Sequence, residues 1–285
     1  SAEQSSLKIC YNKLDNYVAL LREAMGTPSS RFSQFAAGEE GNYQQLSRNI
    51  LQIENELYSP IRPKQPTQSM EKPTDALVKR GINYIEVRAL DVNPFSAIGI
   101  SESQFHFLDV FLLSCLLMPS EALDESQLTE AKDNMNKVVL EGRNPELKLL
   151  QGGEEISLPA WCETLFAQFK QVAALLDTAN ETDKYMAAVD EEWQKVIDPA
   201  KTPSGVLLNA LLKDDKDNSV FGLELAERYK AEMAGYAYTH TDANAFQAAS
   251  LASLDAQADV EAADSKDFDS FIRDYFNEPP AKKNA

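Results

Sequence analysis

Histidine and cysteine are scarce in this chain of 285 residues, which contains two histidines and three cysteines. Catalytic triads and cysteine–histidine pairs require a histidine beside a nucleophile. Because neither His106 nor His240 lies near a nucleophile motif, we expect both in structural or surface roles. The cysteines, Cys10, Cys115 and Cys162, are far apart in sequence and lack metal-ligand spacing, which favours buried free thiols over a redox role.

The chain also lacks the common sequence motifs of nucleotide and metal sites. It has no phosphate-binding glycine-rich loop, no G-x-G-x-x-G fingerprint and no H-E-x-x-H pair. Most of the familiar catalytic arrangements are therefore excluded, and any chemistry must come from other groups.

Long apolar runs are absent as well. The longest, residues 107–118 (FLDVFLLSCLLM), is too short to span a bilayer and contains Asp109. No signal peptide is visible, so we expect a cytoplasmic protein with no membrane partner. Because the chain begins with serine rather than methionine, we expect a fragment of a longer protein.

Positive charge is in short supply, with 27 basic against 45 acidic residues and a net charge of −18. This balance argues against a nucleic-acid partner, since a phosphate backbone requires a basic surface. The charge is unevenly distributed, because residues 61–88 contain six basic and three acidic side chains. A locally positive segment in an acidic chain suits a small anionic ligand.

The residue patterns predict an α+β fold. Extended segments are predicted at 49–64 and 83–90, with a short helix between them that begins at Pro73. Apolar residues recur with helical spacing elsewhere, which predicts helices at 10–25, 103–118, 126–141, 159–178, 183–197, 203–213, 219–235 and 268–276. We therefore expect sheet strands with flanking helices in residues 1–120, a helical region in 121–276 and a disordered tail in 277–285.

The stretch NYIEVRALDVNPF (83–95) contains an acidic and a basic residue at alternate positions. As a strand, it would carry Glu86 and Arg88 on one face and bury Ile85 and Val87 on the other. Carboxylate oxygen is a preferred ligand of Mg²⁺, and a guanidinium binds phosphate oxygens in a bidentate manner. Two interpretations remain open, a solvated ion pair or one metal ligand beside one phosphate ligand. A single carboxylate is too few for metal catalysis.

A second charged stretch, ENELYSPIRPK (54–64), leaves similar alternatives open. Tyr58 is either a core residue or a phenol that faces a ligand. Arg62 and Lys64 lie beside prolines that fix the backbone direction, so their side chains would reach either solvent or a phosphate.

These two stretches closely resemble the proteobacterial type of glutamate–cysteine ligase (γ-glutamylcysteine synthetase). The matching motifs, in the order and spacing of that family, are IENELYSPIRPK, GINYIEVRALDVNPFSAIGI, FLDVFLLSCLL and NKVVLEGRNPELKL. The resemblance is strong over about residues 46–150 and extends as a helical pattern over the rest. It implies that the chain is roughly the C-terminal half of the family's enzyme, without the N-terminal half.

The resemblance implies an ATP-dependent ligase that joins the γ-carboxylate of L-glutamate to the amine of L-cysteine through an acyl phosphate. This reaction is the first step of glutathione biosynthesis. The implied fold is part of a glutamine-synthetase-like antiparallel sheet, whose concave face holds ATP and Mg²⁺ or Mn²⁺, followed by a mostly helical C-terminal region.

The resemblance also assigns roles to individual residues. Glu86 matches a metal ligand, Arg88 a catalytic arginine that contacts the nucleotide phosphates, and Tyr58 a residue of the cysteine subsite. Arg62 and Lys64 are expected to bind nucleotide on the motif match alone.

The family's other acidic metal ligands lie in the absent N-terminal half, which is therefore an expected partner. We expect this chain alone to be inactive or nearly so. The alternative function is a non-catalytic, acidic helical module for interaction or regulation. A different carboxylate–amine ligase on the same fold remains open if the absent half sets substrate selectivity.

Overall fold

The computed structural model describes residues 4, 7, 9–39 and 41–277. The helices are α1 (Leu14–Gly26), α2 (Pro73–Arg80), α3 (Glu102–Leu117), α4 (Glu125–Glu141), α5 (Leu158–Asn180), α6 (Lys184–Ile197), α7 (Pro203–Asp214), α8 (Asn218–Ala234), α9 (Ala243–Ala263) and α10 (Phe268–Asn277). The strands are β1 (Ala37–Glu39), β2 (Asn42–Tyr43), β3 (Ile61–Lys64), β4 (Tyr84–Val87), β5 (Lys148–Gln151) and β6 (Glu154–Ser157). The fold is α+β, as predicted.

The strands form three separate antiparallel pairs within the described residues: β1–β2, β3–β4 and β5–β6. The two charged stretches of the sequence contain β3 and β4, which pair with each other. None of the described helices combines the length and the hydropathy that crossing a membrane requires.

The chain divides into two compact units. The first comprises residues 1–90 together with 238–285, and the second comprises residues 91–237. The domain boundary expected near residue 120 stays a prediction. Of the tail expected at 277–285, residues 278–285 lie outside the described part of the chain.

The core of the first unit is formed by α1, α2 and the segment that precedes β3. Its buried residues are Tyr17, Val18, Leu21, Ala24, Leu51, Leu57 and Leu77. The apolar stripe expected on the first helix is confirmed, because Leu14 and Met25 pack against the same cluster. Each fully buried leucine contributes about 1.5–3 kcal/mol relative to an exposed one.

The core of the second unit is an aromatic cluster between α3, α5 and α6. The rings of Phe107 and Phe169 meet edge to face, with centroids 5.8 Å apart. The ring centroids of Phe166 and Trp193 are 5.2 Å apart. Such pairs add about 0.5–1.5 kcal/mol to the hydrophobic burial.

The helices predicted over 103–118 and 203–213 are present as α3 and α7, and a side-chain cap begins each of them. Ser101 and Gln104 form a reciprocal capping box at α3, and the Thr202 hydroxyl accepts a hydrogen bond from the Gly205 amide at α7. Each cap pairs amide groups that would otherwise lack a partner in the first turn. A second capping box, between Asp124 and Gln127, begins α4.

The extended segment predicted over residues 49–64 is wrong in its middle. Residues Glu54–Glu56 form a 3₁₀ turn, and strand pairing begins only at Ile61. The turn is held by a long-range contact, since the Glu54 carboxylate accepts hydrogen bonds from the Thr74 amide and hydroxyl. The residue alternation could not reveal that contact.

The buried face predicted for the second strand is also wrong in the described structure. Ile85 is 46% exposed, and Ile61 on the neighbouring strand is 41% exposed. The reason is that β3 and β4 form a two-stranded pair, which cannot cover both of its faces.

The β5–β6 hairpin is a feature that the sequence patterns missed. Gly152 and Gly153 form its turn with φ angles of 63° and 85°, a region that favours glycine. The Gly-Gly pair was an available hairpin signal.

All three cysteines are free thiols, as expected. The expectation that they are buried is wrong, because Cys10 and Cys162 are only partly buried and Cys115 is exposed. Cys115 follows the buried Ser114 on α3, and one step along a helix turns the next side chain about 100° away.

Candidate functional site

The β3–β4 pair brings four of the predicted site residues onto one face. Arg62 lies opposite Glu86, and residues directly opposite in an antiparallel pair project on the same side. Lys64 and Arg88 are each two positions away along their strands and therefore share that side. We call Arg62, Lys64, Glu86 and Arg88 the charged face.

The pairing of the two strands is fixed at both ends by main-chain hydrogen bonds. The Arg88 amide donates to the Pro60 carbonyl at 2.7 Å, and the Asn83 amide donates to the Lys64 carbonyl at 2.9 Å. Between the strands, α2 ends at Arg80, and the φ of 75° at the next residue, Gly81, allows the chain to turn towards β4.

Glu86 lies between two cations of the charged face. Its Oε1 is 2.9 Å from Arg88 Nη2, and its Oε2 is 3.4 Å from Lys64 Nζ. The hydrogen bond from Arg88, followed by the charge of Lys64, lowers the pKa of the Glu86 carboxyl, which therefore stays ionised at neutral pH. Although the side chain is 30% exposed, Oε2 itself is sealed from solvent and accepts no well-formed hydrogen bond among the described residues.

The charged face holds three cations against one carboxylate. Arg88 and Lys64 are partly exposed, at 37% and 23% of their side chains. Both can therefore be reached by a solute, and an excess of positive charge at a partly exposed surface attracts anions such as phosphate groups.

Arg62 lies in the interior, where only 3% of the residue is exposed. Its Nη1 and Nη2 donate to the carbonyls of Asn55 and Glu54 at 3.3 and 3.4 Å. Its Nε has no hydrogen-bond partner in the described part of the chain. The buried position excludes the reach into solvent that the sequence left open for this side chain. Nucleotide binding by Arg62 stays a prediction.

Tyr58 precedes the paired part of β3 and is 65% exposed, so it is not a core residue. The next residue, Ser59, is hydrogen-bonded to Tyr11, whose hydroxyl also donates to the Ile61 carbonyl at 2.8 Å. The chain from Ser59 to Ile61 is thereby fixed while the Tyr58 ring remains accessible. A role in a cysteine subsite stays a prediction.

A cavity of about 210 Å³ opens beside the charged face. Arg62, Lys64 and Tyr84 line it on the strand side, with Tyr17 of α1 and Leu77 of α2 among its other lining residues. The space next to the cations is therefore partly apolar, a mixture that is common in ligand sites.

A buried polar cluster next to these strands was missed by the sequence patterns. Glu54, Thr74 and Asp75 are 3%, 0% and 8% exposed, respectively, and Arg22 of α1 contacts both Thr74 and Asp75. Burial is the largest effect on Glu54 and raises the pKa of its carboxyl. The only local sequence signal was a threonine and an aspartate in the first turn of a predicted helix.

The residues present do not by themselves fit a complete magnesium or manganese site. No group of three or more histidine, cysteine, aspartate or glutamate side chains is arranged as metal ligands in residues 4, 7, 9–39 and 41–277. Glu86 offers one carboxylate, and both of its oxygens already face cations.

Comparisons with known sequences point to one family. The family model described as glutamate-cysteine ligase matches residues 1–138. The glutamate–cysteine ligase of Shewanella halifaxensis is 46% identical over 275 residues, which is 96% of this chain and 52% of the relative. That of Vibrio vulnificus is 41% identical over 278 residues, 97% of this chain and 53% of the relative. The chain thus spans about half the length of these relatives.

A comparison of structures agrees with the sequences. The crystal structure of glutamate–cysteine ligase from Francisella tularensis in complex with AMP matches with a TM-score of 0.87 at 31% identity. The match covers 97% of this chain and 55% of that protein.

Proposed function

This chain belongs to the glutamate–cysteine ligase family, and from that premise we propose that it forms one wall of an ATP-dependent ligase site. The proposed reaction joins the γ-carboxylate of L-glutamate to the amine of L-cysteine, the first step of glutathione biosynthesis. The observation that carries the proposal is the register of β3 and β4, which places Arg62, Lys64, Glu86 and Arg88 on one face.

In the proposed reaction, the γ-phosphoryl group of ATP passes to a γ-carboxylate oxygen of glutamate and ADP leaves. The cysteine amine then attacks the acyl carbon of this acyl phosphate and loses a proton. The bond from that carbon to the bridging oxygen breaks, and inorganic phosphate leaves with that oxygen. Arg88 and Lys64 would bind the nucleotide phosphates and neutralise negative charge as the phosphoryl group moves. Arg88, which is the more exposed of the two, is the proposed catalytic arginine.

Arg62 and Tyr58 have distinct proposed parts. The buried Arg62 adds positive charge to the charged face and would bind nucleotide with Lys64, its neighbour on that face. The exposed Tyr58 ring would line the cysteine subsite.

Glu86 is the proposed contribution of this chain to a site for Mg²⁺ or Mn²⁺. When bound, such an ion would supply Lewis-acid charge next to the phosphates. Because Glu86 supplies only one carboxylate, the remaining ligands would come from the N-terminal half of the whole protein. The chain alone is then expected to show little or no turnover.

The test is to measure ADP release by the whole ligase, or by this chain supplemented with the N-terminal half. Release should require both glutamate and cysteine. Glu86→Gln and Arg88→Ala should each lower turnover by roughly two orders of magnitude or more, because each removes a charge from the phosphoryl-transfer site.

Glu155→Gln is the matched control, since it removes a carboxylate from another strand ion pair, with Lys148 at 3.0 Å. That variant should turn over normally. Full turnover by Glu86→Gln would contradict the metal assignment. If the complete protein released no ADP with glutamate and cysteine present, the non-catalytic helical module would instead be favoured.

A further inference from the structure

Helix α10 belongs to the first unit, although the whole second unit separates it in sequence from residues 1–90 of that unit. Its Ile272 is only 8% exposed. The Phe268 ring meets the Tyr43 ring edge to face, with centroids 5.0 Å apart. The ammonium of Lys72 lies over the Tyr275 ring, 5.0 Å from its centroid. The helix is therefore anchored at both its first and its last turn.

Tyr275 and Phe276 of α10 form one side of a cavity of about 250 Å³. The polar side chains that line the rest of the cavity are Arg22, Glu54, Lys72, Thr74 and Asp75. Two aromatic side chains thus line the same cavity as the buried polar cluster described above.

The buried cluster fixes the first turn of α2. The Glu54 carboxylate accepts from the Thr74 amide at 2.7 Å and from the Thr74 hydroxyl at 2.6 Å. Arg22 Nη2 lies 2.7 Å from the Asp75 carboxylate. Hydrogen bonds and ion pairs of this kind are stronger where water is excluded.

The same cluster is connected to both strands of the charged face. Helix α2 leads through Gly81 directly into β4, and the Glu54 carbonyl accepts a hydrogen bond from Arg62 on β3. A displacement of the α2 N-terminus would therefore move the strand that carries Glu86 and Arg88.

We propose that Tyr275 is a positioning residue for the charged face, acting through Lys72 and α2. The Tyr275 ring holds the Lys72 ammonium at the start of α2 and shields the Glu54–Thr74–Asp75 cluster, and α2 in turn fixes β4. The structural coupling of Tyr275 to β4, through Lys72 and α2, does not depend on the reaction. Its consequence for catalysis rests on the proposed function.

Hydrogen exchange of the full chain, followed peptide by peptide, tests the structural coupling. In Tyr275→Ala, amides of residues 74–88 should exchange about tenfold faster or more, because a partly buried aromatic contact is lost. Tyr275→Phe should match the unsubstituted chain, since it keeps the ring. Lys72→Met, a milder change, should accelerate exchange in the same peptides about two- to fivefold through loss of the cation–π contact.

Phe246→Ala is the matched control, because it removes an exposed ring from α9. It should leave residues 74–88 unchanged, and residues 148–157 of the second unit should be unaffected in every variant. The proposal is overturned if Tyr275→Ala and Lys72→Met accelerate exchange in α10 but not in residues 84–88. If Tyr275→Ala does not fold, Lys72→Met alone decides.

A kinetic measurement on the whole ligase separates this proposal from the proposed function. Tyr275→Ala should raise KM for ATP about fivefold or more, with recovery in Tyr275→Phe. If Glu86→Gln abolishes turnover but Tyr275→Ala leaves both exchange and KM unchanged, the positioning role is wrong. If exchange accelerates as expected while Glu86→Gln turns over normally, the metal role proposed for Glu86 is wrong and the coupling stands.

Discussion

Two glutamate side chains in the first unit make polar contacts that differ in their exposure to solvent and therefore in their strength. Glu86 is partly exposed and faces two cations, whereas Glu54 is buried and accepts hydrogen bonds from a neutral threonine. The pKa of Glu86 is consequently lowered, and that of Glu54 is raised by burial. The surrounding fold thus shifts the pKa values of two glutamates only 32 positions apart in opposite directions.

Glu71 gives the residue-scale prediction, which concerns acid stability. Arg80 is the main cause that lowers the pKa of its carboxyl from 4.5 to about 2, with further contributions from the Gln68 amide and Lys79. Because the folded-state pKa lies below the ordinary value, the stabilisation is fully present above pH 4.5 and is lost as pH falls towards about 2. Glu71→Gln should cost about 1 kcal/mol at neutral pH, as expected for a partly exposed ion pair.

Urea unfolding of both proteins across this pH range measures the effect. The difference in the free energy of unfolding should shrink as pH is lowered from 4.5 towards 2. A difference that stays constant with pH would show that the Glu71 carboxylate contributes by packing and not by charge. Glu155→Gln, at a carboxylate that is 64% exposed, should have an effect of less than about 0.5 kcal/mol.

At the scale of secondary structure, local sequence signals predicted nine of the ten described helices and missed α9 (Ala243–Ala263), whose apolar pattern is weak. They also missed the features that depend on distant contacts. The Ser101 and Thr202 caps lie within three residues of their partners, so the sequence reveals them directly. The 3₁₀ turn at Glu54–Glu56 depends on Thr74, twenty positions away, and no local pattern encodes it. The same reason explains why the interior position of Arg62 was not foreseen.

The charged face was partly predictable. The alternation of Glu86 and Arg88 placed them on one face of a strand, and the register of β3 against β4 added Arg62 and Lys64. Strand register depends on a partner that lies across α2 in sequence, so it could not be read from either stretch alone.

The β5–β6 hairpin gives the prediction at the scale of elements. The Asn134 side chain of α4 pairs with the backbone of Leu150 on β5, as a neighbouring strand would. Its Nδ2 donates to the Leu150 carbonyl at 2.6 Å, and its Oδ1 accepts from the Leu150 amide at 2.9 Å. The residue is 8% exposed. Asn134→Ala should therefore destabilise the chain by about 1–3 kcal/mol, since both backbone groups lose their partner.

Thermal unfolding and hydrogen exchange at residues 148–157 measure this change. Asn180→Ala provides the control, because Asn180 is exposed and donates within its own helix to the Leu176 carbonyl. Equal effects of the two substitutions would mean that Asn134 acts through helix propensity alone. Asn134→Asp should fall between them, as it keeps the acceptor and loses the donor.

At the scale of the whole molecule, the segment that connects the second unit to the C-terminal part of the first is open to proteolysis. Residues 236–242 form no helix or strand and are exposed throughout. Tyr236 and Tyr238 within this segment are 64% and 56% exposed. Brief chymotrypsin treatment should therefore cleave first after these tyrosines, because exposed irregular segments fit a protease best.

Mass spectrometry identifies the first cut, and gel filtration shows whether the released piece stays bound. Since α10 packs on the first unit through Ile272 and Tyr275, the C-terminal piece should co-elute with the larger one. Changing both tyrosines to serine should slow the first cut about tenfold or more. A first cut elsewhere, such as after Phe105 in α3, would contradict the exposure argument.

The return of α10 to the first unit also has a consequence for the order of folding. During synthesis, the strands with Lys64 and Glu86 emerge before the second unit, whereas the helix that covers their supporting cluster emerges after it. The entropic cost of closing so long a loop rises only slowly with the length of the loop. Folding of the intervening second unit also shortens the distance over which α10 must find the rest of the first unit. The first unit therefore begins to form early but is completed late, after a separate structure has been made between its two parts.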